Sequence, residues 1–390
     1  MNQASPEAQR AERLAAYLDE DPANPLLLAD ACDAAMAAGF HAAADGYIRT
    51  AEALGLAPAE WTFRRARLCI VQRRLDQAAA LLAPLQADAN AHPAVAHDLA
   101  YVRLLQGAPQ ACREIVGPWL AQGIAHGPDL HEALQVLWLR ATHHLQLLEE
   151  GWHWAQAEHA AQRLQPAACG VASLLALDLG RFDDARSLAD AAIGVRPAQV
   201  EALVARATVA LGDRDTAGAT DLLRRALACN PEDGRTWSAL GLCSLQARDL
   251  PLAQSRLERA VRTLPGHVGT WHALGWARLL QQDAAGALAA FREALRLDRN
   301  FAESHGAVGL VLALTGDREG ATRHLDLAGR LDPSNVTGRY ARALLAGEGA
   351  DAVQMRALAE RLLDRPAPGG GSMGDAVLRA MNERTRPRGH

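Results

Sequence analysis

The side chains best equipped for chemistry crowd into one stretch, where His126, His131, His143, His144, His153 and His159 fall within 34 residues beside Glu149 and Glu150. Imidazole with carboxylate suggests metal ligation or proton transfer, and either requires groups that converge from one face. His143 and His144 are adjacent, so on a helix they diverge by about 100 degrees. The cluster therefore reads as solvated or packing histidines, with no metal site. The six cysteines, Cys32, Cys69, Cys112, Cys169, Cys229 and Cys243, have no CxxC spacing and read as reduced thiols at small apolar positions. Lysine is absent and all 40 basic side chains are arginine. That excludes a phosphate loop ending in Gly-Lys, a kinase-type lysine and Schiff-base chemistry. No HExxH or strand-borne GxGxxG occurs, and no GxSxG elbow is read, since the string from Gly370 to Gly374 overlaps the run Gly369, Gly370, Gly371, which reads as a linker. No catalytic residue and no cofactor is expected, so the chain is not expected to be an enzyme.

The histidine-rich stretch also holds Trp119, Trp138, Trp152 and Trp154. Two readings stand: packing in the core of a distorted helix pair, or an exposed pair, Trp152 and Trp154, that anchors a partner.

Position along the chain is governed by a period. Pro197, Pro231, Pro265 and Pro333 lie on steps of 34, with Arg299 on the rung between the last two. Ala185, Ala219, Ala253, Ala287 and Ala321 repeat with the same step, and so do Asp215, Asp249, Asp283 and Asp317. A 34-residue period corresponds to one antiparallel helix pair stacked repeatedly. Aspartate before each second helix can cap its first amides, and proline after it stops the helix. Traced backwards, Ala44, Ala78 and Ala111 continue the period, and the 74 residues from Ala111 to Ala185 imply an insertion of about six near Gly117, Pro118, Gly123, Gly127 and Pro128.

In 234–267, Trp237 precedes Leu240 and Gly241, then Ala253, Leu257, Ala260 and Pro265; the next unit offers Trp271, Leu274, Gly275, Ala287, Phe291 and Ala294. These units resemble the tetratricopeptide repeat, W-x2-L-G-x2-Y, A-x3-F and a closing Pro. They depart from it at Ser244 and Arg278, where that family has Tyr, and at Arg299, where it has Pro. The expected fold is all-α, a right-handed superhelical solenoid of antiparallel helix pairs with about nine to ten repeats. A capping helix is expected in 1–24 and the solenoid in 25–335, irregular over about 92–165 and regular over 166–335. Degenerate helices in 336–365 and a linker, short helix and Arg-rich tail in 366–390 complete the organisation.

The resemblance implies a site. In that family, the second, fifth, ninth and twelfth positions of each first helix line a concave peptide-binding groove. Here these are Leu174 and Leu177; Val204, Thr208 and Leu211; Arg235, Ser238, Leu242 and Leu245; His272, Trp276 and Leu279; and Glu303, Leu310 and Ala313. This mostly apolar set suits an amphipathic helix or apolar peptide, with Arg235, Glu201 and Glu303 setting register. The same residues could instead pack sideways against neighbouring repeats, or the segment around Val377, Leu378 and Met381 could fold back over them. The N-terminal part of the surface is more polar, with Asp33, Glu60, Arg67 and Arg103. Chaperone-binding members hold a terminal carboxylate with Lys and Asn side chains that this chain lacks, so a co-chaperone role is not expected.

The resemblance thus implies a protein-interaction scaffold or adaptor. Alternatives are a targeting or substrate-delivery subunit for a separate glycosyl- or sulfotransferase-type enzyme, and a self-assembling structural protein, possible as a homodimer. A formal net charge of -5 gives no electrostatic footprint for nucleic acid. No apolar run approaches the roughly 20 residues of a membrane span, and 1–18 does not read as a signal peptide. A cytoplasmic location is expected.

Overall fold

A computed structural model of the chain describes residues 5–88, 91–123 and 127–347, and among these every regular element is a helix. Two compact units emerge, Met1–Leu175 and Ala176–His390. The first holds α1 (Pro6–Glu20), α2 (Pro25–Ala37), α3 (His41–Ala53), α4 (Pro58–Val71), α5 (Leu75–Gln86), α6 (Pro93–Leu105), α7 (Pro109–Leu120), α8 (Pro128–His144) and α9 (Leu148–Ala160). The division falls within α10 (Pro166–Asp178). The second unit continues with α11 (Phe182–Val195), α12 (Val200–Gly212), α13 (Thr216–Cys229), α14 (Gly234–Gln246) and α15 (Leu250–Thr263). It ends with α16 (Val268–Leu280), α17 (Ala284–Leu297), α18 (Ala302–Leu314), α19 (Arg318–Leu331) and α20 (Val336–Leu345). The all-α helical-repeat architecture anticipated from the 34-residue step is the one the chain adopts. The remainder of 336–365 beyond residue 347, and the whole of 366–390 with Val377, Leu378 and Met381, lie outside the described residues, as does His126.

Helix starts and stops follow from side-chain chemistry. Asp215, Asp249, Asp283 and Asp317 each accept the amide three residues on, at 2.8, 3.1, 2.8 and 2.8 Å, so an orphan donor at the head of each second helix is satisfied. The same aspartates close the preceding helix, their own amides reaching back to Ala210, Ser244, Arg278 and Leu312. This backward bond requires a left-handed residue just before the aspartate. Arg214, Arg248, Gln282 and Gly316 occupy that place, with φ of 64, 62, 67 and 89°. One aspartate thus ends one helix and begins the next, which makes the turn short.

Within a pair the helices meet where a side chain is missing. A Cβ on Gly241, Gly275 or Gly309 would come within 2.5, 2.4 and 2.6 Å of Leu257, Phe291 and Leu325, three successive rungs of the period. Between pairs, first helices pack on one another, α2 on α4 and α4 on α6 in the first unit, α12 on α14 and α14 on α16 in the second. The cores are local. Leu18, Leu28, Ile48, Trp61 and Leu68 form one in the first unit, and Trp276, Phe291, Val308, Val311 and Leu325 one in the second.

Candidate interaction surface

The first helices of the second unit carry most of the positions that the resemblance singles out, and packing sorts them into two groups. Val204, Leu211, Ser238, Leu245, His272, Glu303 and Leu310 are buried, and Leu174 is buried in the first unit. Trp276 has no exposed surface at all; its ring meets Phe291 edge-on, with centroids 5.6 Å apart. These side chains are enclosed by neighbouring helices, Trp276 by Phe291 of α17 and by the cluster that includes Val308 and Val311 of α18. Leu177, Thr208, Arg235, Leu242, Leu279 and Ala313 remain half-buried.

Polar members of the set have partners within the chain. Glu303 accepts from Asn335 Nδ2 at 2.6 Å and from the Thr337 hydroxyl, and Asn335 in turn caps α20, so this carboxylate organises a helix start. Arg235 stands 3.5 Å from Asp178. Ser238 shares a hydrogen bond of 2.9 Å with Thr270. Burial drives the His272 pKa from 6.5 down to about 4 against a smaller opposing effect of the Glu303 backbone, which keeps the imidazole neutral.

In the first unit the polar residues pair among themselves. Arg64 lies 3.3 Å from Asp33, and Arg67 bridges Asp33 and Asp98 at 3.8 Å each, tying α2, α4 and α6 together. Glu60 approaches Arg64 at 3.9 Å, and Arg103 donates to Gln106 at 3.1 Å. Charge on this face is balanced across helices.

The irregular stretch treats its two tryptophans differently. Trp152 is buried, whereas Trp154 is half-buried and meets the Trp138 ring at a 41° tilt with centroids 4.7 Å apart. As a pair, Trp152 and Trp154 are not exposed, because residues two apart on a helix point to opposite sides. A cavity of about 510 Å³ opens beside Trp138 and Trp154, with Leu120, His131, Glu158 and Arg163 around it. The i,i+4 spacing of Trp154 and Glu158 on α9 was the sequence signal for this wall, and it went unread. His143 is half-buried, and His144, His153 and His159 are exposed. Among the described residues, no group of three or more His, Cys, Asp or Glu could hold a metal ion, and no helix is long and apolar enough to cross a membrane. Cys32, Cys69, Cys112, Cys169 and Cys243 are buried free thiols and Cys229 is an exposed one; burial raises Cys32 and Cys112 to about 12.

The repeat shared by the tetratricopeptide family matches residues 171–234 and 238–302. Among solved structures, the anaphase-promoting complex assembly Cut9-Hcn1 is similar over 90% of this chain and 75% of its own, with 12% identity and a TM-score of 0.51. YrrB, described as a tetratricopeptide repeat protein with an unusual peptide-binding site, is 20% identical over 48% of this chain and 96% of its own, with a TM-score of 0.37. PilF of Pseudomonas aeruginosa is 22% identical over 56% of this chain and 97% of its own, with a TM-score of 0.42. No curated protein matches the chain. At these identities the likeness concerns the fold. With the 34-residue step, the glycine contacts and the family match in agreement, residues 171–234 and 238–302 carry tetratricopeptide repeats and the fold is a helical-repeat solenoid.

Proposed function

We propose that the protein is an interaction scaffold that takes an apolar or amphipathic helical segment of a partner on the first-helix face of its second unit. The observation that carries this reading is that Leu177, Leu242 and Leu279, on three different first helices, stay half-buried while their neighbours in the same helices are enclosed. Covering the remaining surface of one such half-buried leucine stabilises by about 1 kcal/mol. Thr208 and Arg235 lie among them, and Arg235, near Asp178, is suited to set the partner's register. A partner helix with apolar residues at i, i+3 or i+4, and i+7 matches such a surface.

The test places charge on half-buried leucines at the edge of the core rather than on enclosed ones. Native protein and the double variant Leu242→Arg, Leu279→Arg are used to capture partners from the native cell extract, with circular dichroism confirming equal helicity. Loss of a captured partner in the variant supports the reading. Undiminished capture by the variant overturns it. Sedimentation equilibrium on the same samples separates a foreign partner from a second copy of the chain. Trp276 is unsuited to this test, because a charge placed there would be buried without a partner and would unfold the repeat.

A further inference from the structure

The cavity of the first unit departs from the regular repeats at several points. It lies where α8 runs 17 residues, longer than the 13 of α6, and where Gly123 and Gly127 turn the chain at φ of 68 and 92°. Its aromatic wall is prearranged. Trp138, 8% exposed, meets both the Trp154 ring at 4.7 Å and the Arg113 guanidinium, 5.1 Å from its centroid. Arg113 in turn pairs with Glu150.

Three features of this wall favour positive charge. The faces of indole rings carry negative potential, as the seating of Arg113 on Trp138 already illustrates. Leu120 is the last residue of α7, so the partial negative charge of a helix C-terminus lies at the rim. Glu158 supplies a carboxylate whose side chain is only 15% exposed. On the floor, His131 is tied into an amide network. Gln135 Nε2 donates to His131 Nε2 at 3.1 Å and to the Arg163 carbonyl at 3.0 Å, while Gln135 Oε1 accepts the Gln165 amide at 3.0 Å. With both amide hydrogens so committed, the imidazole nitrogen facing Gln135 is an acceptor.

The resident partner of Glu158 is itself a guanidinium. Arg163 reaches it in a two-pronged pair at 2.7 and 3.0 Å, from the segment that follows α9, with half its side chain exposed. Such a fork fits the carboxylate, and an exposed one exchanges readily for another.

We propose that this cavity is a recognition site for an arginine side chain presented by a partner protein, which stacks on Trp154 and takes the place of Arg163 on Glu158. The site is separate from the leucine face of the second unit and stands or falls independently of it. It makes an unusual demand, that removing a native cation should improve binding.

The experiment titrates the full chain with three blocked heptapeptides of glycine and serine whose central residue is arginine, norleucine or glutamate, and follows the tryptophan indole N–H resonances. The expected result is saturable movement of the Trp138 and Trp154 signals with the arginine peptide alone. Affinity should fall roughly tenfold in Trp154→Ala, fall in Glu158→Gln, and rise several-fold in Arg163→Gln as competition is relieved. Thermal unfolding of each variant verifies that the first unit is intact. Equal binding of the norleucine peptide, binding of the glutamate peptide, weaker binding in Arg163→Gln, or no saturation with any peptide would each overturn the proposal.

Discussion

His272 sits 2% exposed between the rings of Phe291 and Phe301, with centroids at 5.0 and 5.6 Å. Burial lowers its pKa from 6.5 to about 4, so the folded protein holds it neutral while the unfolded chain protonates it below pH 6.5. Its contribution is fully present above pH 6.5 and is lost as pH falls toward 4, by on the order of 3 kcal/mol. His324 adds to the same trend, since burial and the neighbouring His305 both lower its pKa. Urea unfolding on either side of this window should show the loss, and His272→Leu should remove most of it; an unchanged pH slope in that variant would refute the assignment. His272 was assigned to a groove by its place in the period. The period gives which face of a helix a residue occupies, but the large neighbour that encloses it, Phe301, comes from the turn before α18. Trp276 went the same way, since tryptophan at a first-helix position reads equally as anchor or core until Phe291 is seen against it.

Helix pairs are set by the absence of atoms as much as by their presence. Gly275→Ala would drive a methyl group to 2.4 Å from the Phe291 ring, and the variant should lose about 1–3 kcal/mol through overpacking. Gly46, inside α3 with open space around it, has no such duty. Gly46→Ala should gain about 0.5–1 kcal/mol by relieving backbone entropy. Thermal denaturation of both variants checks the opposite signs, and equal shifts would mean that close helix approach is not what selects glycine. Elements were the most legible level of this chain, because the rungs of Asp, Ala, Gly and Pro each answer to one local contact. The stretch around α8 was least legible, since an insertion breaks the phase and with it the rule for which side chains face inward. The wall of Trp138, Trp154, Glu158 and Arg163 was therefore not assembled from the sequence.

Repeats that touch only their neighbours spread damage over short range. Leu68→Ala, at a side chain 1% exposed, should cost about 2–5 kcal/mol. Hydrogen exchange should accelerate through α2 to α5, whose cores include Leu28, Ile48 and Trp61, and leave α14 to α17 as before; uniform acceleration across both units would show a single cooperative fold instead. One property extends over all the ion pairs described. Arg64, Arg67, Arg113, Arg163 and Arg235 supply their cations, and no lysine exists to share the task. A guanidinium keeps its charge to beyond about pH 12, so a change of pH undoes these links only from the acid side, at the carboxylates. Enzymes that acylate side-chain amines find no target here, and the positive charge of this chain is out of reach of that form of cellular control.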